Sequence, residues 1–153
     1  LDGHVNELRL DHGWRYADLT PLSGAPEAAS DHLSGYVRSD GINTLVIAAV
    51  GAYAGRIYEL RLDNGWQCYE LTSVHGAVRG GYHSRPGGYV RAEGVSAVVY
   101  LGTDNHIHEI RLENAWQWAD LSFLAGAPAA TGGPWPYNRS AVSSTYLPAV
   151  IRQ

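Results

Sequence analysis

The sequence predicts an all-β protein of the β-propeller class, built from three copies of a four-stranded unit. One motif occurs three times, as NELRLD at residues 6–11, YELRLD at 58–63 and HEIRLE at 108–113. A tryptophan follows each copy, at positions 14, 66 and 116. Self-similarity at a period of about 50 residues is the signature of a repeat architecture. Any binding site is therefore expected to occur once per repeat.

The composition agrees with this class. The 153 residues include 18 glycines, 10 tyrosines and 5 tryptophans, which suit strands joined by tight turns. No segment shows a sustained helical period, so we expect almost no helix. No apolar run approaches the ~20 residues of a membrane span, so no membrane insertion is expected.

Each repeat predicts four short strands. In the third repeat these are residues 88–91, 96–102, 106–113 and 116–122, and in the second they are 36–38, 44–49, 56–63 and 66–72. Asp104 and Asn105 are the polar residues that a hairpin turn prefers. Four antiparallel strands form one propeller blade, which places blades at residues 34–73 and 87–123.

The remaining blade is predicted to be split between the termini, as residues 1–22 and 134–153. Residues 2–5 match 104–107, so the first repeat begins inside a hairpin turn and lacks its first two strands. The C-terminus supplies them, because residues 137–139 match 89–91 and residues 149–151 match 97–99. The chain then holds two whole blades and two halves of a third.

Three blades are too few to close a ring, since propellers have about 4–8. A half-blade also leaves strand edges unpaired. We predict a homodimer with six blades, in which the last strand of one chain pairs with the first strand of the other. A trimer with nine blades is the less favoured alternative, and a stable monomer in gel filtration would contradict both.

Charge and motifs exclude several functions. The 11 basic and 15 acidic residues give a net charge of −4, which offers no electrostatic reason to bind nucleic acid or an anionic membrane. The chain has no P-loop, nucleophile elbow or dinucleotide fingerprint, so we expect neither cofactor nor catalysis. His106 and His108 share a strand face, but the second repeat has Arg56 and Tyr58 there. No metal site is therefore expected.

Charged residues recur on the third strand of every repeat, where alternation places the glutamate and the arginine on one face. Such charges are shielded in a propeller and need partners. They form either a Glu–Arg bridge that holds adjacent blades or a polar site for a sugar, with a tryptophan stacked on the ring; the two can coexist. The candidate sugar-binding residues are Glu7, Glu59, Glu109, Arg9, Arg61, Arg111, Trp14, Trp66 and Trp116.

Two further sets recur at equivalent positions. We expect Asp18, Glu70 and Asp120 to be turn or bridge acceptors rather than catalytic acids, because an active site usually breaks repeat symmetry. Arg38, Arg91 and Arg139 lie on the innermost strand, where inner-ring salt bridges are expected.

The run SAVVYLGTDNHIHEIRLENAW at residues 96–116 resembles one blade of the fucose-binding six-bladed propeller lectins, the fungal Aleuria-type lectins and their small bacterial relatives. It is similar more loosely to the tectonin-like lectins. The resemblance implies a six-bladed ring, glycan partners that include fucosylated ones, and sugar contacts from the glutamates and tryptophans above. The family's strand-2 arginine is replaced here by Val98 and Leu45, and its second tryptophan by Leu10, Leu62 and Leu112.

The function that follows is multivalent carbohydrate binding between blades. Two alternatives stay open. A small-molecule binder or enzyme would use one cleft or the central channel, and a purely structural interaction module would bind no glycan.

Overall fold

The computed structural model of the chain describes residues 2–81, 83–136 and 149–150. The fold is all-β with antiparallel sheets, as predicted. Sheet A contains β3 (Ala28–Val37), β4 (Asn43–Ala49), β5 (Ile57–Leu62) and β6 (Trp66–Glu70). Sheet B contains β7 (Gly87–Val90), β8 (Ser96–Leu101), β9 (Ile107–Leu112) and β10 (Trp116–Asp120). In both sheets consecutive strands are neighbours, which is the strand order of a blade.

Two smaller sheets contain the remaining strands. The N-terminal hairpin consists of β1 (Asn6–Leu10) and β2 (Trp14–Asp18), and the terminal pair consists of β11 (Trp135–Pro136) and β12 (Ala149–Val150). Residues 137–139 and Ile151, which belong to the predicted strands of the split blade, lie outside the described residues. The union of these two pairs into one blade shared by two chains stays a prediction.

The structure corrects the expectation of an almost helix-free chain. Helix α1 (Leu19–Ser23) follows β2, α2 (Leu121–Ala125) follows β10, and a 3-10 turn spans Gly51–Tyr53. The last strand of sheet B therefore ends at Asp120, before the predicted residue 122. Asp18 accepts a hydrogen bond from the Thr20 amide at 3.2 Å, and Asp120 accepts one from Phe123 at 2.8 Å. Both aspartates are helix N-caps, which confirms that they are acceptors.

Sheet A is covered on both faces. On one face, Val46 and Ile57 belong to a buried cluster with Val98, Tyr100 and Ile110 of sheet B. The opposite face carries Ile47 and Leu60, which pack against Val5 of the N-terminal hairpin and Leu19 of α1. The order in space is thus hairpin, sheet A, sheet B, with an apolar interface at each junction.

The first strands of successive units lie side by side. β3 contacts β7, and β7 contacts β11. The approach of β3 and β7 is close: the Gly88 amide donates to Ser34 Oγ at 3.0 Å, and a Cβ at Gly88 would collide with the Tyr36 ring. Only glycine fits there, so the sequence fixes how closely the two sheets pack at this edge.

Candidate functional site

A buried carboxylate lies between the two large sheets. Glu59 on β5 is opposite Val46 on β4 and shares the face of sheet A that packs against sheet B. Its side chain is 0% exposed. An ionised carboxylate removed from water is stable only with close polar partners.

Two side chains of sheet A and Arg38, which directly follows β3, supply those partners. The Tyr36 hydroxyl donates to Oε1 of Glu59 at 3.1 Å, and Arg38 donates from Nη1 to Oε2 at 3.2 Å. The Arg61 Nε lies 3.8 Å from the same Oε2. The structure thus places the Glu–Arg bridge within one repeat rather than between two blades, because β5 and the end of β3, which Arg38 directly follows, present these residues on a common face. Burial raises the pKa of Glu59, and Arg38, Tyr36 and Arg61 oppose that rise.

Sheet B repeats this cluster. Glu109 is fully buried and accepts a hydrogen bond from the Tyr89 hydroxyl. Its Oε1 lies 3.5 Å from Arg91 Nη1 and 3.6 Å from Arg111 Nη1. The sequence did not identify Tyr36 or Tyr89 as candidate site residues. The signal that could have found both tyrosines is the spacing Tyr-x-Arg, which occurs at residues 36–38, 89–91 and 137–139.

The equivalent pair in the N-terminal hairpin is more open. Arg9 Nη1 lies 3.7 Å from Glu7 Oε2, with the two side chains 53% and 24% exposed. Among the described residues β1 pairs with β2 alone. No first strand with a tyrosine and an arginine therefore covers Glu7 in the described part of the chain.

Two of the tryptophans, Trp66 and Trp116, lie at the junction with the glutamate-bearing face of the preceding repeat. Trp116 of sheet B faces sheet A, and the Arg38 guanidinium that binds Glu59 lies 5.9 Å from its ring centroid. Trp66 of sheet A and Glu7 of the hairpin line one cavity of about 570 Å³. Trp14, in the first repeat, is 75% exposed.

Unpaired polar atoms concentrate in these clusters. Among the described residues, four buried side-chain atoms of the glutamate clusters have neither a hydrogen bond nor a close ion pair in the protein: Arg38 Nε, Arg61 Nε, Glu7 Oε2 and Glu109 Oε1. Arg91 Nε is ion-paired with Glu93 at 2.7 Å. Most buried polar atoms in proteins are hydrogen-bonded, so a recurrent set of exceptions needs an explanation. A ligand with hydroxyl groups satisfies both kinds of atom, because a hydroxyl donates and accepts.

His4 and His106, near the start of the third strand of their repeats, take no part in the glutamate clusters. Each forms a pair with an aspartate instead. Asp104, His106 and Asp120 bring their ligand atoms within 4.8 Å of one another, an arrangement that could hold a cation. A basic side chain meets an acidic one at this place in every repeat. The pairs are His4–Asp18 (2.6 Å), Arg56–Glu70 (2.8 Å) and His106–Asp120 (2.7 Å). Because a guanidinium fills the position in sheet A, the pattern fits a base–acid pair better than a metal site.

This pair predicts a pH-dependent contribution to stability. The hydrogen bond that His106 Nδ1 donates to the Asp120 carboxylate raises the pKa of His106 above its ordinary 6.5. The pair therefore stabilises the fold fully below that ordinary value, and the contribution is lost as pH rises through the raised pKa. In urea unfolding, His106→Gln should be less stable than the wild type near pH 6 and close to it at about pH 9.

The control for this prediction is Arg56→Gln in sheet A. Its guanidinium keeps its charge throughout this range, so the loss of unfolding free energy should be the same at both pH values. A loss in His106→Gln that does not change with pH would contradict the assignment.

Comparison with known proteins gives little further information. No family model and no curated protein matches the chain. Among solved structures it is similar to a fucose lectin from Kordia zhangzhouensis in complex with methyl-fucoside, at 17% identity and a TM-score of 0.41. The match covers 76% of this chain and 87% of that chain. At this score the two backbones coincide only in part.

Proposed function

We propose that the chain is a carbohydrate-binding protein without catalytic activity, whose sites lie in the clefts between neighbouring repeats. The observation that carries the proposal is the Glu59 cleft. A buried carboxylate and two arginines with unpaired Nε atoms lie together at the junction of the sheets, and the Trp116 ring of sheet B lies 5.9 Å from the Arg38 guanidinium. The proposal concerns the glutamates, arginines and tryptophans named from the sequence, together with Tyr36 and Arg38.

These side chains match the surface of a sugar ring. A carboxylate accepts hydrogen bonds from ring hydroxyls, and a guanidinium donates to them with charge assistance. The face of an indole packs against the C–H groups on the apolar side of the ring. Ordinary sugars present both kinds of surface at once, which favours them over purely apolar or purely ionic ligands.

The charge of the cleft favours a neutral sugar. Arg38 Nη2 lies 2.9 Å from Asp40, so Arg38 and Arg61 face two carboxylates, those of Asp40 and Glu59. The two positive charges therefore balance the two negative charges. An acidic sugar would meet no excess positive charge and would bring its own anion close to Glu59.

Repetition of the cleft favours multivalent binding. The Glu109 cluster has the same composition, and Glu7 lines an open cavity with Trp66. A single contact with a sugar is weak. The total affinity increases when several such sites bind one glycan-bearing surface at the same time. We infer that the partners are glycans, fucosylated ones among them by the resemblance of the sequence, and that the active form is a homodimer.

A glycan array tests the proposal. The wild type should bind a group of neutral glycans, and the triple variant Glu7→Gln, Glu59→Gln, Glu109→Gln should lose that signal while remaining folded by circular dichroism. Glutamine keeps the shape of the side chain but weakens its acceptor, because charge-assisted bonds are about twice as strong as neutral ones.

Glu70→Gln is the matched control, since it removes a carboxylate that is ion-paired with Arg56 on the opposite face of sheet A. It should bind like the wild type. A wild type that binds no glycan would favour a structural module, and turnover of any glycan would favour an enzyme. A folded triple variant that still binds would place the site elsewhere.

A further inference from the structure

We propose that Tyr69 is the positioning residue of the Glu59 cleft: its ring holds the Arg61 guanidinium in place, so that the unpaired Nε of Arg61 stays available to a neutral ligand. The nature of that ligand rests on the proposed function. The positioning of Arg61 is a property of the protein alone.

Tyr69 lies on the same face of sheet A as the buried carboxylate. It is directly opposite Glu59 in the pairing of β6 with β5, so the two side chains share the face that packs against sheet B. The central carbon of the Arg61 guanidinium is 3.7 Å from the centroid of the Tyr69 ring, which is a stacked cation–π contact. The Tyr69 hydroxyl donates to Gln67 Oε1 at 2.6 Å. The ring is therefore fixed at its outer end and covers one flat face of the guanidinium.

Stacking keeps the donors of Arg61 available. The N–H groups of a guanidinium lie in its plane, so a ring on its face uses none of them. The Arg61 Nε is buried, has no hydrogen-bond partner among the described residues and lies 3.8 Å from Glu59 Oε2. One hydroxyl oxygen can be about 2.8 Å from both of two atoms at that separation. A single hydroxyl of a ligand can thus accept from Arg61 and donate to Glu59 at the same time.

Sheet B holds the equivalent arginine in a different way. Ala119 is at the position of Tyr69. Arg111 donates from Nε to Glu113 at 2.8 Å and from Nη2 to Gln117 at 3.3 Å. Where the tyrosine is absent, polar side chains therefore fix the arginine, and its Nε is already in use.

The two arrangements also differ in charge. In sheet A two arginines face two carboxylates, as described above. In sheet B two arginines face three carboxylates, those of Glu93, Glu109 and Glu113. Tyr69 holds its arginine without adding a negative charge, and this distinguishes the Glu59 cleft as the one suited to a neutral ligand.

The degree of shielding follows the same order. The side chains of Arg61, Arg111 and Arg9 are 19%, 24% and 53% exposed. In the hairpin, Ala17 is at the position of Tyr69. The arginine that stacks on a tyrosine is thus the most shielded of the three, which strengthens its hydrogen bonds to a ligand.

Isothermal titration tests the proposal, with the best neutral glycan from the array and in a background of Glu7→Gln and Glu109→Gln. Tyr69→Ala should weaken binding by about tenfold, because a charge-assisted hydrogen bond from Arg61 is no longer held in position. Tyr69→Phe keeps the stacked ring and should bind within about twofold of the background. Unchanged affinity in Tyr69→Ala, or an equal loss in Tyr69→Phe, would overturn the positioning role.

Tyr53→Ala is the matched control. Tyr53 is 48% exposed, and the Arg56 guanidinium lies 5.5 Å from its ring centroid. Arg56 belongs to the opposite face of sheet A, where it is paired with Glu70. Loss of this second tyrosine–arginine contact should leave the affinity unchanged. A loss equal to that in Tyr69→Ala would show a general effect on the fold and would overturn the assignment to Tyr69.

NMR relaxation of the Arg61 Nε–H group tests the positioning without any sugar. Its heteronuclear NOE reports motion on the picosecond to nanosecond scale. The NOE should fall in Tyr69→Ala and keep its wild-type value in Tyr69→Phe and in Tyr53→Ala. An unchanged NOE in Tyr69→Ala would overturn the inference even if the protein binds glycans. A wild type that binds no glycan would instead overturn the proposed function, and the NOE would still decide whether Tyr69 positions Arg61.

Discussion

Replacing Arg38 with alanine should lower the free energy of unfolding by about 3–5 kcal/mol, because it leaves a buried carboxylate without its closest cation. The Arg38 and Glu59 side chains are 4% and 0% exposed, and 3.2 Å separates Nη1 from Oε2. Arg61, whose Nε is 3.8 Å from Oε2, is too distant to replace the lost hydrogen bond. Urea unfolding at neutral pH measures the loss.

Arg9→Ala is the matched control. Arg9 bridges Glu7 at 3.7 Å, but its side chain is 53% exposed, and solvent-exposed pairs contribute about 0–1 kcal/mol. A loss in Arg38→Ala no greater than that in Arg9→Ala would show that Glu59 does not depend on Arg38 for its charge.

The pH dependence of Arg38→Ala has a definite sign. Burial already raises the pKa of Glu59, and Arg38 is the largest of the effects that oppose it. Without Arg38 the pKa of folded Glu59 rises further, so the folded state binds a proton that the unfolded state releases. Stability of the variant should therefore fall more steeply than that of the wild type as pH rises from about 5 to 8.

Replacing Trp116 with alanine should remove the apolar wall of the Glu59 cleft and weaken sugar binding at that site by at least about tenfold, which is 1.4 kcal/mol. Isothermal titration with the best neutral glycan from the array measures the change. A background of Glu7→Gln and Glu109→Gln restricts the measurement to the Glu59 cleft. Trp116→Phe should bind with intermediate affinity because it keeps an aromatic face.

Trp135→Ala is the control for this measurement. Trp135 is 61% exposed and lines a separate cavity of about 490 Å³ beside β3 and β7. Its loss should leave affinity unchanged. A sugar affinity that depends on Trp135 and not on Trp116 would move the site from the cleft to that cavity.

Much of the fold could be predicted from the sequence because strand alternation and repetition are local signals. The third-strand face that carries Glu59 and Arg61 follows from the period of two alone. The helices could not be predicted, because α1 and α2 are five residues long. Five residues show no helical period, and a capping aspartate with a left-handed glycine defines each of these helices instead.

Less of the site could be predicted, because its partners are brought together by register and by packing between sheets. Tyr36 and Arg38 reach Glu59 from the end of β3 and the residue after it, on the far side of β4. Glu59 and Trp66 are close in the sequence, but Trp66 is opposite Leu62 and shares the other face of sheet A. The tryptophan opposite Glu59 is Trp116, from the next repeat. That pairing appears only once the sheets are stacked.

A crystal structure with the best neutral glycan bound tests the central claim most directly. The account predicts a sugar ring against Trp116 and beside the Glu59 cluster, with hydroxyls at the Glu59 carboxylate and at the unpaired Nε atoms of Arg38 and Arg61. A ring bound instead in the cavity lined by Trp135 and Gly87 would contradict it.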